Sequence, residues 1–361
     1  MLPVVCAAAV VSGCVGYGVR MAVEQHTARA DSAALVPSMV VQGTPSRSAA
    51  DFYLTGAPTL PAQLPSAVAA LQWAGWPGFD NIRFREGYVS SFNRMTKNPN
   101  WVCEHLCKET LSGDAKRTKG GEPFAEDTHD PPHMRSTLSD YKGSGFDRGH
   151  LVAAGDIKFS QKALEETFIL SNISPQVGAG FNRGYWERLE RWCRGLVHRN
   201  EFSDVFVITG PLFIPEKQPG GAWFMHHQVL GNPPALHVPT HFFKVVMALP
   251  TRSTQATLTL SAQSDRDAGG HALVPAGRAP ERPIALGAFV LPNAVIEDSE
   301  PLEKFAFPLE LLERTSGLEF FQRLPRQNGR FVSPLCRSTK CKLPPPFDKG
   351  GKDAGKKLIG R

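Results

Sequence analysis

Charge of one sign, cysteine and internal repetition are all scarce in this chain, and each scarcity removes a class of explanation. The 361 residues hold 40 Lys and Arg against 34 Asp and Glu, but residues 337–361 alone contain eight of the former and two of the latter. That leaves 32 of each sign in residues 1–336. A body without net charge excludes a general electrostatic field as the means of attracting a polyanion, so affinity for nucleic acid needs a local basic patch. Seven cysteines, at 6, 14, 103, 107, 193, 336 and 341, are too few and too unevenly spaced to staple a chain this long. Cys103-x-x-x-Cys107 and Cys336-x4-Cys341 could each close a local bridge, with reduced core thiols as the simpler expectation. His105 makes the first pair a Cys-x-His-x-Cys string, but no second ligand pair at zinc spacing follows, which argues against a structural zinc. No internal repeat is present.

What is there reads as one loop-rich domain with appendages: 42% apolar residues, 33 Gly and 30 Pro. Residues 2–19 carry no charged side chain, and Arg20, Arg29 and Arg47 follow, so 1–30 is expected to be a targeting leader or membrane anchor. Its Ala, Gly and Val content, Arg bias and few acids favour a mitochondrial destination, in the intermembrane space or at the inner membrane. Ala28-Arg29-Ala30 keeps a secretory signal as the alternative. Residues 31–72 read as a flexible linker, 73–336 as the folded domain with a disordered insertion at about 261–283, and 337–361 as a basic flexible tail. Strands are predicted at Gly87–Asn93 and Trp101–Cys107 around a turn at Asn98-Pro99-Asn100, and at Val205–Thr209, His241–Leu249 and Ile284–Leu291. Residues 112–135 read as a long loop. Trp186, Leu189, Cys193 and Leu196 recur at helical spacing, predicting a helix from Asn182 to Asn200.

The chemistry is concentrated in Asp147-Arg148-Gly149-His150, with Asn182 at 32 positions and Glu190 at 40 positions beyond His150. Hydrolysis of a phosphodiester needs a proton acceptor for water and cations to neutralise the phosphoryl oxygens. His150 suits the first task, because imidazole titrates near neutral pH. In an extended segment Arg148 shares a face with His150, while Asp147 points the other way to fix local structure or charge, and Gly149 allows close backbone approach or a turn. Asn182 is a neutral oxygen ligand suited to a largely hydrated Mg²⁺, with Glu190 as an acceptor for the ion's waters. Taken singly, each has a bland reading: an ion pair for Asp147 and Arg148, a helix cap for Asn182, a solvated charge for Glu190, a core histidine for His150. Of the remaining histidines only His226-His227 stands out, as a minor metal or phosphate contact.

At these residues the chain resembles the ββα-metal, sugar-nonspecific DNA/RNA nucleases, on the mitochondrial endonuclease G branch. The resemblance runs through Asp140–Leu151, Leu170-Ser171-Asn172-Ile173-Ser174-Pro175-Gln176, Asn182–Glu190, Thr209–Phe213, Val238–Val245 and Pro301–Phe305. It implies an α+β fold, a central antiparallel sheet flanked by helices with a ββα-metal finger. It implies His150 as general base, Asn182 as metal ligand and Glu190 as the carboxylate that holds metal-bound water. Arg148 becomes a phosphate-stabilising arginine, and Asn172 a support for the His and metal geometry. Mg²⁺ is the expected ion, with Mn²⁺ as a substitute. DNA and RNA are the expected substrates, 5′-phosphates the products, and a homodimer the usual assembly, with membrane association through residues 2–19 as a further expectation. Three departures follow: Gln176 to Asn182 is one residue longer than usual, Arg183 is free to add a phosphate contact, and the upstream substrate arginine is Arg135 or Arg117. Two alternatives stand beside the endonuclease: a 5′-exonuclease of the same superfamily, and a nucleic-acid-binding protein without catalysis.

Overall fold

The structure, a computed structural model, describes residues 64–118, 120–251, 283–324, 326 and 331–347. The expectations for the leader, the insertion, most of the linker and the tail beyond 347 lie outside these residues. An alanine-rich helix, Ala67–Ala74 (α1), precedes strands Ile82–Phe84 (β1), Tyr88–Asn93 (β2) and Asn98–Leu106 (β3). After the long loop come helix Leu138–Tyr141 (α2), strand Asp147–His150 (β4), helix Gln161–Glu166 (α3) and strand Ile173–Gln176 (β5). An irregular turn over Gly178–Trp186 enters helix Glu187–His198 (α4), followed by strand Phe202–Leu212 (β6). Two small ribbons pair Glu216–Lys217 (β7) with Trp223–Phe224 (β8), and Val229–Leu230 (β9) with Leu236–His237 (β10). Strands His241–Pro250 (β11) and Ile284–Pro292 (β12), helix Leu309–Ser316 (α5), strand Val332–Pro334 (β13) and helix Leu335–Ser338 (α6) complete the order.

Seven strands form the central sheet in the order β1-β2-β3-β6-β11-β12-β13, antiparallel throughout except for the parallel β12–β13 pair at one edge. The long strands are mostly apolar and buried on both faces because both faces of the sheet are covered. Their side chains alternate between two cores. Val205 and Val207 join Phe242, Val246, Trp186, Leu189 and Trp192 on the face packed by α4. Phe206 and Ile208 join Phe243, Val245 and Met247 on the opposite face, under α1 and Leu312 of α5. A third cluster, Tyr141, Leu170, Ile173, Leu230, Leu236 and Val238, supports the β4–β5 ribbon from the side. The architecture is α+β with helices flanking the sheet, as the sequence implied. No helix among the described residues is long and apolar enough to cross a membrane.

Four local expectations are corrected. The β2–β3 turn lies at 94–97, not at Asn98-Pro99-Asn100. Asn93 Oδ1 accepts from the backbone N–H of Met95 (2.9 Å) and Thr96 (3.0 Å), and Lys97 takes the left-handed conformation with φ 55°. Pro99 is absorbed into β3 opposite Phe92, where the register shifts. The folded body starts with α1 rather than near Trp73, because Ala67, Leu71 and Ala74 are wholly buried under the sheet. Asn182 sits in an irregular turn instead of a regular helix. The tail is structured as far as Phe347: Leu335, Cys341 and Leu343 enter the core beside α4.

That last segment is a strap across the outside of α4. Arg188 donates to Pro344 O (2.7 Å), Arg191 to Pro345 O (2.7 Å) and Trp192 Nε1 to Lys340 O (3.1 Å). Cys336 and Cys341 form a disulfide that closes its turn, whereas Cys103, Cys107 and Cys193 are free and buried. A crosslink over so short a loop stabilises by about 2 kcal/mol on chain-entropy grounds. Cys336→Ser is therefore expected to lower the melting temperature by a few degrees under oxidising conditions, and to lower it no further when dithiothreitol is added. A parent protein whose melting is insensitive to reductant would contradict this.

Candidate active site

The β4–β5 ribbon sets the site's register. Asp147, Arg148, Gly149 and His150 face Gln176, Pro175, Ser174 and Ile173 across antiparallel pairs. Gly149 is required by a side chain rather than by a turn, since a Cβ there would lie 2.0 Å from Gln176 Oε1. The ribbon is held from below by Asn293, which donates to Pro175 O (3.1 Å) and Pro239 O (2.9 Å) and accepts from Val177 N (2.9 Å). Asn172 is fully buried. Its amide donates to Val152 O (3.0 Å) and Thr167 O (2.8 Å) and accepts from Val152 N (3.0 Å), so all its bonds go to backbone just past His150 and just before the second strand.

His150 packs between two aromatic rings, Phe168 at 4.7 Å edge-on and Phe124 at 5.5 Å. Its Nε2 is buried and has no protein partner among the described residues. Burial, aided by the positive charge of Arg117, pushes the imidazole down to about 3. The ring is thus neutral at physiological pH, the form in which an imidazole can take up a proton. The same shift has a consequence for stability. A group whose charged form is disfavoured on folding takes up its proton first in the unfolded chain, so stability falls as pH drops below about 6.5. His150→Ala is expected to lose less melting temperature than the parent between about pH 7 and about pH 4.5. Equal losses in the two proteins would contradict the burial argument.

Arg148 stands with its guanidinium 4.3 Å from the Phe124 ring centroid, so that Arg148 and His150 meet at one aromatic side chain. Its partner is Glu122 (2.9 Å), an exposed carboxylate in the long loop. Arg117 lies over Phe168 at 5.6 Å and acts electrostatically on His150. Arg135, by contrast, is held by Glu126 (2.9 Å) and the Asp130 carbonyl (3.4 Å). Of the two candidate upstream arginines, Arg117 is the one gathered beside His150. The loop that carries it is pinned by buried ion pairs of Arg83 and Arg85 with Asp127, and of Arg83 with Asp130.

Asp147 is the hinge between the ribbon and the metal-ligand candidate. Its carboxylate accepts from Asn182 Nδ2 (2.8 Å) and pairs with Arg183. Because the nitrogen end of the amide must face a carboxylate, the oxygen end of Asn182 is left for another partner. The extra residue between Gln176 and Asn182 is absorbed by a wide turn: Asn182 N donates to Val177 O five residues back (2.9 Å), and Gly180 takes φ 81°. Glu190, one turn into α4, is nine-tenths buried. Burial pushes its carboxyl up to about 7, opposed by Lys244 and reinforced by Asp156. No cluster of three or more His, Cys, Asp or Glu side chains able to hold an ion exists among the described residues. The donor set fits an ion held by one amide oxygen with most of its hydration kept, which is the habit of Mg²⁺ rather than of zinc.

Residues 74–327 match the family model of the DNA/RNA non-specific endonucleases. The chain belongs to that family. The endonuclease is 41% identical over 261 residues to a mitochondrial nuclease 1 of Schizosaccharomyces pombe, spanning 72% of this chain and 71% of that protein. It is 38% identical over 255 residues to human mitochondrial endonuclease G, spanning 71% of this chain and 74% of the relative. The crystal structure of an EndoG/EndoGI complex superposes with a TM-score of 0.63 at 33% identity, covering 76% of this chain and all of that one. The endonuclease is a metal-dependent enzyme that hydrolyses nucleic acid, and its similarity to mitochondrial nucleases agrees with a mitochondrial location. Sequence reading missed Phe124, Phe168, Glu122 and Asn293, for which no spacing or motif gave a signal. Of the pair His226-His227, the second is taken by His237, with ring nitrogens 2.7 Å apart.

Proposed function

We propose that the enzyme is a Mg²⁺-dependent, sugar-nonspecific endonuclease that leaves 5′-phosphate ends on DNA and RNA. The observation that carries this reading is the Asp147–Asn182 hydrogen bond, which ties the strand bearing Arg148 and His150 to an amide oxygen free for an ion. A bound Mg²⁺ supplies charge neutralisation at the phosphoryl and leaving oxygens. Asn182 would hold it through its amide oxygen, and Glu190 would supply the nearby carboxylate for its waters. Arg148 exchanges Glu122 for a substrate phosphate, with Arg117 beside it and Arg183 at the rim. The His150 imidazole takes a proton from water, the water oxygen forms a bond to phosphorus, and the bond to the 3′ oxygen breaks, that oxygen taking a proton from solvent as it leaves. Asn172 keeps the segment after His150 in register, and Asp147 and Gly149 act as structural support. Arg135, occupied by Glu126, steadies the loop instead of meeting substrate. By its resemblance to the family the enzyme acts as a homodimer, and the uncharged stretch 2–19 suits delivery to the mitochondrial intermembrane space or inner membrane.

The test incubates the full chain with supercoiled plasmid and single-stranded RNA, with Mg²⁺ or with EDTA. Internal cuts in both substrates, 5′-phosphate ends and silence in EDTA are expected. Digestion from ends alone would favour the exonuclease, and binding without cutting would refute the catalytic reading. Raising ionic strength is expected to suppress cleavage steeply, because each phosphate contact releases counterions. Cleavage unaffected by salt would contradict a local basic patch around Arg148 and Arg117.

A further inference from the structure

Lys244 is a charged side chain in the wrong company. It lies in the middle of β11, opposite Thr209 of β6 and Phe289 of β12, and only 1% of it is exposed. The two-residue alternation puts it on the same face as Phe242 and Val246, the face packed by α4 and the active-site finger. An ammonium on this largely apolar face is strongly unfavourable unless it is paired or hydrogen-bonded.

Its contacts indicate the use. Lys244 Nζ donates to Thr209 Oγ1 (2.9 Å) and, at longer range, to Leu151 O (3.5 Å), the carbonyl next to His150 in the chain. It also stands 4.7 Å from the centroid of Trp186, four residues after Asn182 and four before Glu190. Thus one cation touches the end of the strand that bears His150 and the helix entry that bears Asn182 and Glu190, and it fastens both to the central sheet. Nearby, Arg194 of α4 is paired with Asp156, so that cation already has its own carboxylate.

We propose that Lys244 is a positioning residue of the active site, which holds the His150 strand and the Asn182–Glu190 segment at the separation that metal binding requires. The proposal rests on the assignment of Asn182 and Glu190 as the metal-binding pair. A methionine matches the stem of Lys244 in volume, so Lys244→Met removes the ammonium while filling the same space.

The test titrates the full chain with Mn²⁺ alone by calorimetry and follows plasmid cleavage across Mg²⁺ concentration, for the parent, Lys244→Met, Thr209→Val and Asn182→Ala. Lys244→Met is expected to weaken Mn²⁺ binding by about tenfold or more, the usual effect of losing an outer support of a metal site. It is also expected to lower kcat while leaving KM for plasmid and the nucleic-acid affinity in EDTA unchanged. Thr209→Val keeps the lysine but removes its hydrogen-bond acceptor, and is expected to move the same readouts in the same direction by a few-fold. It decides the question if Lys244→Met does not fold. Parental Mn²⁺ binding in the folded lysine and threonine variants, with the response lost in Asn182→Ala, would overturn the proposal and leave the site assignment standing. Parental binding in Asn182→Ala as well would overturn the assignment and the proposal together.

Discussion

His150→Ala is expected to lose about 10²–10⁴-fold in cleavage rate, the range attributed to a positioned general base, while nucleic-acid binding in EDTA stays at the parental level. The separation of effects follows from the surroundings of the ring. His150 contributes no ion pair to the phosphate-binding arginines, and its neighbours Phe124 and Phe168 pack on each other at 5.3 Å without it. Arg148 and Arg117 keep their own supports in Phe124, Glu122 and Phe168. What the variant lacks is the neutral imidazole set between Phe124 and Phe168. Plasmid cleavage under single-turnover conditions, beside fluorescence-anisotropy binding of an oligonucleotide, measures the two quantities separately. Loss of binding in proportion to loss of rate would mean that His150 holds substrate and that the base lies elsewhere.

Asn182→Ala is expected to raise the Mg²⁺ concentration for half-maximal cleavage at least tenfold and to lower the maximal rate by about a hundredfold or more, since an ion worth several kcal/mol of transition-state stabilisation is displaced. Asn182→Asp is not the gentle alternative it would be elsewhere. Asp147 accepts from the Asn182 amide nitrogen, and an aspartate there would set two carboxylates against each other at hydrogen-bond distance. The aspartate variant is therefore expected to shift the Mg²⁺ dependence too, despite keeping an oxygen donor. Asp147→Asn in the same series removes the acceptor charge and the Arg183 pair, and is expected to act in the same direction more weakly. A Mg²⁺ titration unaltered by Asn182→Ala would remove Asn182 from the metal site.

The sequence carried the outline of this site because its parts are local in the chain. Asp147 to His150 is a four-residue strand whose alternation is fixed by geometry, and the paired strand, wide turn and helix follow within 50 residues. The long strands were legible from apolar, β-branched runs buried on both faces. The parts that were not legible depend on contacts remote in sequence. Nothing around Phe124 announces that it will lie against His150, because the loop's course is set by Arg83 and Arg85 reaching Asp127 and Asp130. The irregular turn before α4 was read as regular helix because Trp186, Leu189 and Cys193 keep helical spacing beyond it. The Pro and Lys content of 337–347 reads as flexible tail, whereas the carbonyls of Lys340, Pro344 and Pro345 are bound by arginines and a tryptophan of α4. The first six residues of α1, 67–72, read as linker because small residues carry little periodic signal, although they are what a close approach to the sheet demands.

The most direct test of the central claim is chemical rescue. His150→Gly is assayed on supercoiled plasmid with Mg²⁺ in rising concentrations of imidazole, which can occupy the space between Phe124 and Phe168. The account predicts very slow cleavage without imidazole, and a saturable gain with it that tracks the neutral form as pH is varied. Cleavage by His150→Gly at the parental rate without imidazole would contradict the assignment of the proton acceptor and the mechanism built on it.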